Sequence, residues 1–194
     1  MSTVQAPYGL RAVNELGGLP YAGSTRTFLI NPAGSAANMY NGTVVAVDTA
    51  GYLVPVTNVG SAADPFPAGV VGVFVGCSYV NAQGQQIYAQ YYPTGTTGVV
   101  TAYVVDDDRT VFQVQANGSL GQTALGANVV FSAAQTGSTS TGNSTTAVST
   151  TLAATATIAF KVVGFASGPG DAYTDLLVKF NVGSHAYNTG LGVA

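Results

Sequence analysis

From Thr25 onward the chain is a succession of short runs rich in Val, Ile, Thr, Tyr and Phe, each closed off by glycine, proline, asparagine or aspartate. That grammar permits strands and turns and leaves little room for long helices. Residues 25–30 form the first run. Residues 43–48 and 52–57 flank Thr49-Ala50-Gly51 and read as a hairpin. Pro55 has no N–H to give a ladder, so its strand lies at an edge or is bulged there. Residues 70–79 are apolar almost without a break, the pattern of a strand buried on both faces. Residues 99–105 and 110–116 flank Asp106-Asp107-Asp108-Arg109 and read as a second hairpin. Leu120 to Gly126 allows one helical turn before a short strand at 129–131. Residues 157–165 and 175–182 are the last strands, with Gly168-Pro169-Gly170-Asp171 as a loop between them. The expectation is an all-β fold: a single barrel- or sandwich-like domain over residues 25–184, with extended N- and C-terminal arms at 1–24 and 185–194.

The arms are distinguished by apolar side chains without a period. Residues 1–24 carry Tyr8, Leu10, Leu16, Leu19 and Tyr21 among Pro7, Gly9, Gly17, Gly18 and Pro20. A solvated tail has no need of those groups, whereas a segment docked on a neighbour does. The C-terminal tail repeats the theme with His185 and Tyr187. Residues 132–156 are dominated by Ser, Thr, Ala and Gly. They read as a linker or long loop, with room for one more exposed strand near 145–151.

Residues 85–92 alternate. Ile87, Ala89 and Tyr91 point one way, and Gln86, Tyr88, Gln90 and Tyr92 the other. A face of Tyr and Gln suits a partner-facing surface. The alternative is a sheet face covered by a loop of the same chain.

Charge narrows the function. The chain has 5 basic and 8 acidic side chains in 194 residues, 7% charged, with a formal net charge of −3. Ordinary soluble domains are about 25% charged. A surface so poor in charge suits a chain that lives inside an assembly. No basic run supports nucleic-acid binding. No stretch of about 18 apolar residues suggests a membrane span. The first nineteen residues carry no signal-peptide pattern. Cys77, the one cysteine, lies in a strand run and reads as a buried thiol.

Catalytic and metal-binding patterns are sparse. His185 is the sole histidine, and no acid stands nearer in sequence than Asp175, so nothing local builds a triad. Stacking or hydrogen bonding in an interface is its expected use. Asp106, Asp107 and Asp108 concentrate like charge. They read either as a solvated turn or as a Ca²⁺ or Mg²⁺ site, since hard cations take oxygen ligands. There is no CxxC, no HExxH and no glycine-rich loop opening a helix. The expectation is therefore a non-enzyme without a cofactor.

One resemblance joins these pieces. Ala6-Pro7-Tyr8-Gly9-Leu10-Arg11 followed by Gly17-Gly18 resembles the opening of tailed-phage head decoration (capsid cement) proteins. Tyr40 to Val45, Gly51-Tyr52-Leu53 and Val71 to Phe74 are similar to the same group. So are Phe112 to Gln115, Gly126-Ala127-Asn128, Thr141 to Ser144, Phe160 to Phe165 and Val178 to Asn181. The resemblance implies a virion structural protein on the outer capsid surface. It would be a homotrimer made in the host cytoplasm, binding an HK97-type major capsid protein and stabilising the shell. Pro7 and Arg11 are counted with the other arm residues among the expected contacts, and the resemblance brings no catalytic residue. A carbohydrate-binding β-sandwich module is the competing reading, with the Tyr-rich strand as platform, although the chain has no Trp. A tail or neck protein of a virion is a third.

Overall fold

The computed structural model describes residues 3–190 and 192–193. Among these residues eleven strands, one 3-10 turn and one short α-helix follow in chain order: β1 Arg11–Glu15, β2 Arg26–Ile30, β3 Thr43–Val47, β4 Leu53–Pro55, β5 Val70–Val80, β6 Gln86–Ala89, β7 Val100–Val105, β8 Thr110–Gln115, the 3-10 turn Gln122–Ala124, β9 Asn128–Val129, β10 Phe160–Phe165, β11 Asp175–Phe180 and α1 Ala186–Thr189. Two antiparallel sheets pack as a sandwich. The first has the order β1-β8-β11-β10-β9. The second has the order β2-β7-β5-β3-β4, with β6 extending the β3 side of the long β5. The chain enters the first sheet once, builds the whole second sheet, and returns to complete the first. The all-β expectation holds.

Two buried clusters explain the continuous apolar run of β5. Val70 and Val73 join the cluster between the sheets, with Phe112, Val114, Phe160, Leu176, Val178 and Phe180. Val71, Phe74 and Cys77 join a second cluster on the other face, with Ile30, Val45, Leu53, Val100, Ala102 and Val104. The second sheet curls until its end strands β2 and β4 approach, which shelters that face. The curl needs bulges, and β5 carries register shifts against both β3 and β7. Gly72 sits at one of them with φ 146°, where a Cβ would lie 2.0 Å from the Val105 carbonyl oxygen. β4 is an edge strand ending at Pro55, as a proline-bearing strand should be.

The structure corrects several expectations. Residues 99–105 and 110–116 are not a hairpin. β7 lies between β2 and β5 with both edges occupied, so β8 crosses to the other sheet and pairs with β1 and β11. Asp106–Arg109 is therefore an inter-sheet crossover. Residues 132–156 are not a free linker. Ser144, Thr146, Ala147 and Val148 are buried, and Val148 bridges both Ala116 and Phe131. Small hydroxyl residues tolerate that burial because they bond to one another and to the backbone: Ser144 Oγ donates to Thr136 O at 3.1 Å and accepts from Thr146 N at 3.2 Å, with Thr146 Oγ1 at 3.0 Å from it. Gln135 ties this segment to the β3 backbone, accepting from Val44 N at 2.7 Å and donating to Val44 O at 3.1 Å.

Residues 1–24 are not an arm throughout either. Met1 and Ser2 lie outside the described residues. From Val4 on, the segment lies along its own domain, and residues 11–15 are an edge strand of the first sheet. The aperiodic apolar residues found a home through long-range pairing, which local pattern does not report.

Candidate functional site

The N-terminal strap is fastened at each step. Gln115 accepts from Ala6 N at 2.8 Å and donates to Val4 O at 3.3 Å. The Tyr8 hydroxyl donates to Asp175 Oδ1 at 2.8 Å, and the Arg11 guanidinium lies over the Tyr8 ring, 4.7 Å from its centroid. Burial, and then the Asp175 carboxylate, push the Tyr8 phenol well above its ordinary pKa. Gly9, with φ 72°, donates to Thr146 O at 3.2 Å, and a Cβ there would lie 2.5 Å from the Ser144 Cβ. Only glycine lets the strap pass so close. Leu10 then drops into the core at 1% exposure. The expectation that Leu10 contacts a partner is thereby corrected, since its side chain is buried within its own chain. Pro7 and Tyr8 are half-buried, and Arg11 is exposed.

Beyond β1 the chain folds back on itself. Glu15 N donates to Leu19 O at 2.8 Å, and Asn14 bridges Pro20. The tip, Leu16-Gly17-Gly18-Leu19, is held to the crossover by Leu16 N donating to Arg109 O at 2.8 Å. Leu16 is 40% exposed and Leu19 62% exposed. Tyr21 is half-buried and donates to Ser24 O at 2.6 Å. Of the apolar residues expected to face a partner, the two leucines at this tip are free to do so.

The strand at 86–89 divides the remaining expectations. Tyr88 is 76% exposed, and no loop covers it. Tyr92 is fully buried, which corrects its place among the contacts. β6 ends at Ala89, and Tyr92 then bridges Met39, its hydroxyl donating to Thr96 O at 2.8 Å and accepting from Ser35 N at 3.0 Å. Tyr88 stands opposite Ser78, Ser78 opposite Thr101, and Thr101 opposite Leu29. This row crosses four strands without a charged residue. Leu29 and Val80, exposed on the same sheet, and Val99, exposed just before β7, were missed by sequence reasoning. The usable signal for Leu29 was period two, which sets it opposite in sense to Phe28 and Ile30.

At the C-terminus the carboxylate run holds the chain. Asp106 Oδ2 pairs with Arg26 Nε at 2.9 Å and accepts from the Tyr187 hydroxyl at 2.8 Å. Asp108 Oδ2 accepts from Asn188 Nδ2 at 2.9 Å, and Asp107 Oδ1 accepts from Arg109 N at 2.8 Å. The run reads as an anchor, and among the described residues no three His, Cys, Asp or Glu side chains gather to hold a metal ion. His185 is fully buried, which corrects its expected place in an interface between chains. Its ring faces Val71 O through Nε2 at 3.1 Å and accepts from Tyr187 N through Nδ1 at 3.3 Å. One nitrogen donates and the other accepts, so the ring is neutral, and burial holds its pKa below the ordinary value. Tyr187 remains 49% exposed. Leu191 and Ala194, at the end of the expected C-terminal arm, lie outside the described residues.

A cavity of about 410 Å³ opens between the sheets beside Leu10, with Val73, Val105 and Phe112 as floor and Arg11, Asn41, Gln90 and Asn143 at its rim. Cys77 is buried, and its thiol is pushed up to about 12 by desolvation. No helix among the described residues is long and apolar enough to cross a membrane. No family model matches the chain, and neither the curated proteins nor the solved structures give a match.

Proposed function

We propose that this chain is a virion structural protein of the capsid decoration type, bound to the outer surface of a shell of major capsid protein. The observation that carries the reading is exposed apolar surface on an almost uncharged protein. Leu16 and Leu19 at the hairpin tip, Tyr88, Leu29 and Val80 on the second sheet, and Val99 just before β7 stand in solvent at 40–76% exposure. With 7% charged residues, little else keeps such a monomer apart from its neighbours. The hairpin tip is the proposed shell contact. The Tyr- and Gln-rich face is the proposed contact between copies in a homotrimer. Shell stabilisation follows from buried area, and several tips on one oligomer bind with avidity.

The deciding experiment mixes the protein with purified shells and measures copy number per particle by sedimentation and mass. Saturable binding that falls when Leu16 and Leu19 are both changed to Ser supports the reading. No binding to shells, or a position confined to the tail or neck, overturns it. The cavity rim of Arg11, Asn41, Gln90 and Asn143 favours a second reading, a carbohydrate-binding module, because amides and a guanidinium over an apolar floor suit a sugar. A glycan array hit lost in Asn143→Ala, with no shell binding, would select it.

A further inference from the structure

The outer face of the first sheet holds a charge arrangement that the fold itself does not use. Lys161 on β10 and Lys179 on β11 stand directly opposite each other. Their neighbours Phe160, Val162, Val178 and Phe180 are in the core, so period two sends both lysines outward. Side chains so paired have Cβ atoms about 4.5–5.5 Å apart, and like charges there destabilise the sheet. Among the described residues neither lysine has an ion-pair or hydrogen-bond partner.

The row continues. Lys161 is also opposite Asn128 on β9. Asn128 is 5% exposed, and its Nδ2 donates to Thr155 O at 2.9 Å, which fixes the orientation of the amide. Its Oδ1 then has no partner. A buried acceptor without a donor costs free energy that a fold ordinarily avoids. Asn128 and Lys161 line one surface cavity of about 360 Å³ with Thr123, Gly126 and Ala153. Asn128 and Lys161 therefore stand at one cavity, and Lys179 continues their row on β11 as a second unneutralised cation.

We infer that this row is a docking site for an acidic peptide segment of a partner protein. One carboxylate sits between the two ammonium groups, and the rest of the segment lies over the cavity beside Asn128. Charge complementarity selects the partner. A second copy of this chain does not fit, because its concentration of carboxylates, Asp106 to Asp108, is already bonded to Arg26, Tyr187, Asn188 and the local backbone. Nucleic acid fits poorly, since phosphate binding draws on many cations and this chain is net negative at −3. The inference stands on this geometry and does not depend on the shell reading.

The test is an amide-resolved NMR titration of the intact protein with an N-acetylated hexaglutamate peptide. A hexaserine peptide and a hexathymidine oligonucleotide serve as comparators. Salt-sensitive shifts are expected at Lys161, Lys179 and the Asn128 side-chain amide, with hexaserine silent. The double variant Lys161→Gln with Lys179→Gln should bind hexaglutamate about tenfold more weakly. Shifts elsewhere, no shifts, or an unchanged double variant would overturn the site. Stronger binding of hexathymidine at the same row would replace the acidic peptide with a phosphate chain and so overturn the assignment. A positive titration beside failed shell binding would sink the decoration reading alone.

Discussion

Leu10→Ala is the sharpest test of where the N-terminal segment belongs. Leu10 is 1% exposed in the cluster between the sheets, whereas Leu16 and Leu19, six and nine residues on, are 40% and 62% exposed. The same substitution at the three positions removes the same atoms. At Leu10 it loses the transfer free energy of a buried side chain and leaves a void. The neighbouring backbone cannot settle into that void, because Leu10 N is held by Gly42 O at 3.0 Å and Gly9 by Thr146 O at 3.2 Å. Buried Leu→Ala changes cost about 2–5 kcal/mol, and about 3 kcal/mol is expected here. For a chain of this size each kcal/mol moves Tm by about 2–4 °C, so the shift is about 6–12 °C downward. Leu16→Ala and Leu19→Ala should each stay within about 0.5 kcal/mol of the parent. Thermal unfolding followed by circular dichroism, with urea unfolding beside it, reads all three. A Leu10→Ala protein that melts with the parent would refute the packing argument and return residues 4–10 to the status of a free arm.

Three further outcomes are expected. Tyr8→Phe removes a hydrogen bond to a carboxylate and should cost about 1–2 kcal/mol by urea unfolding at pH 7. Because the folded state raises the Tyr8 phenol pKa, it holds a proton that the unfolded chain releases, so stability falls as pH rises above about 10, less steeply in Tyr8→Phe. His185 has the opposite sense. Its folded pKa is lowered, the unfolded chain binds the proton first, and stability should decline as pH falls below about 6.5; a pH series of Tm on His185→Gln should lose that component. Cys77, at 1% exposure with its thiol pushed up to about 12, should resist a disulfide reagent at pH 8 in the native protein and react at once in urea; fast native labelling would show that the second cluster opens.

Much of the strand inventory was legible in the sequence, and so were some surfaces. Alternation located β11 and the exposed Tyr88, and an unbroken apolar run located β5. The turn at Thr49-Ala50-Gly51 located the β3–β4 hairpin, which pairs Val47 with Leu53. These follow from period and turn chemistry, which are properties of neighbours in the chain. What the sequence left open is which strands meet. A four-residue link such as Asp106–Arg109 suits a hairpin and an inter-sheet crossover equally. The choice fell to the crossover because β7 already had β2 and β5 on its two edges. The same reason hid the fate of single residues. Leu10 and His185 sit in aperiodic segments and Tyr92 at the end of an alternating one, past the last residue of β6, and tertiary folding buried them by pairing each segment with strands or loops far away in sequence. Residues 132–156, polar by composition, were buried because their hydroxyls find partners there. The lysine row belongs to tertiary structure as well. Lys161 and Lys179 are eighteen positions apart in sequence, and only the register of β10 on β11 sets them face to face. Local chemistry decides that a residue lies in a strand, and the packing of sheets decides whether that residue meets the core, its own chain or solvent.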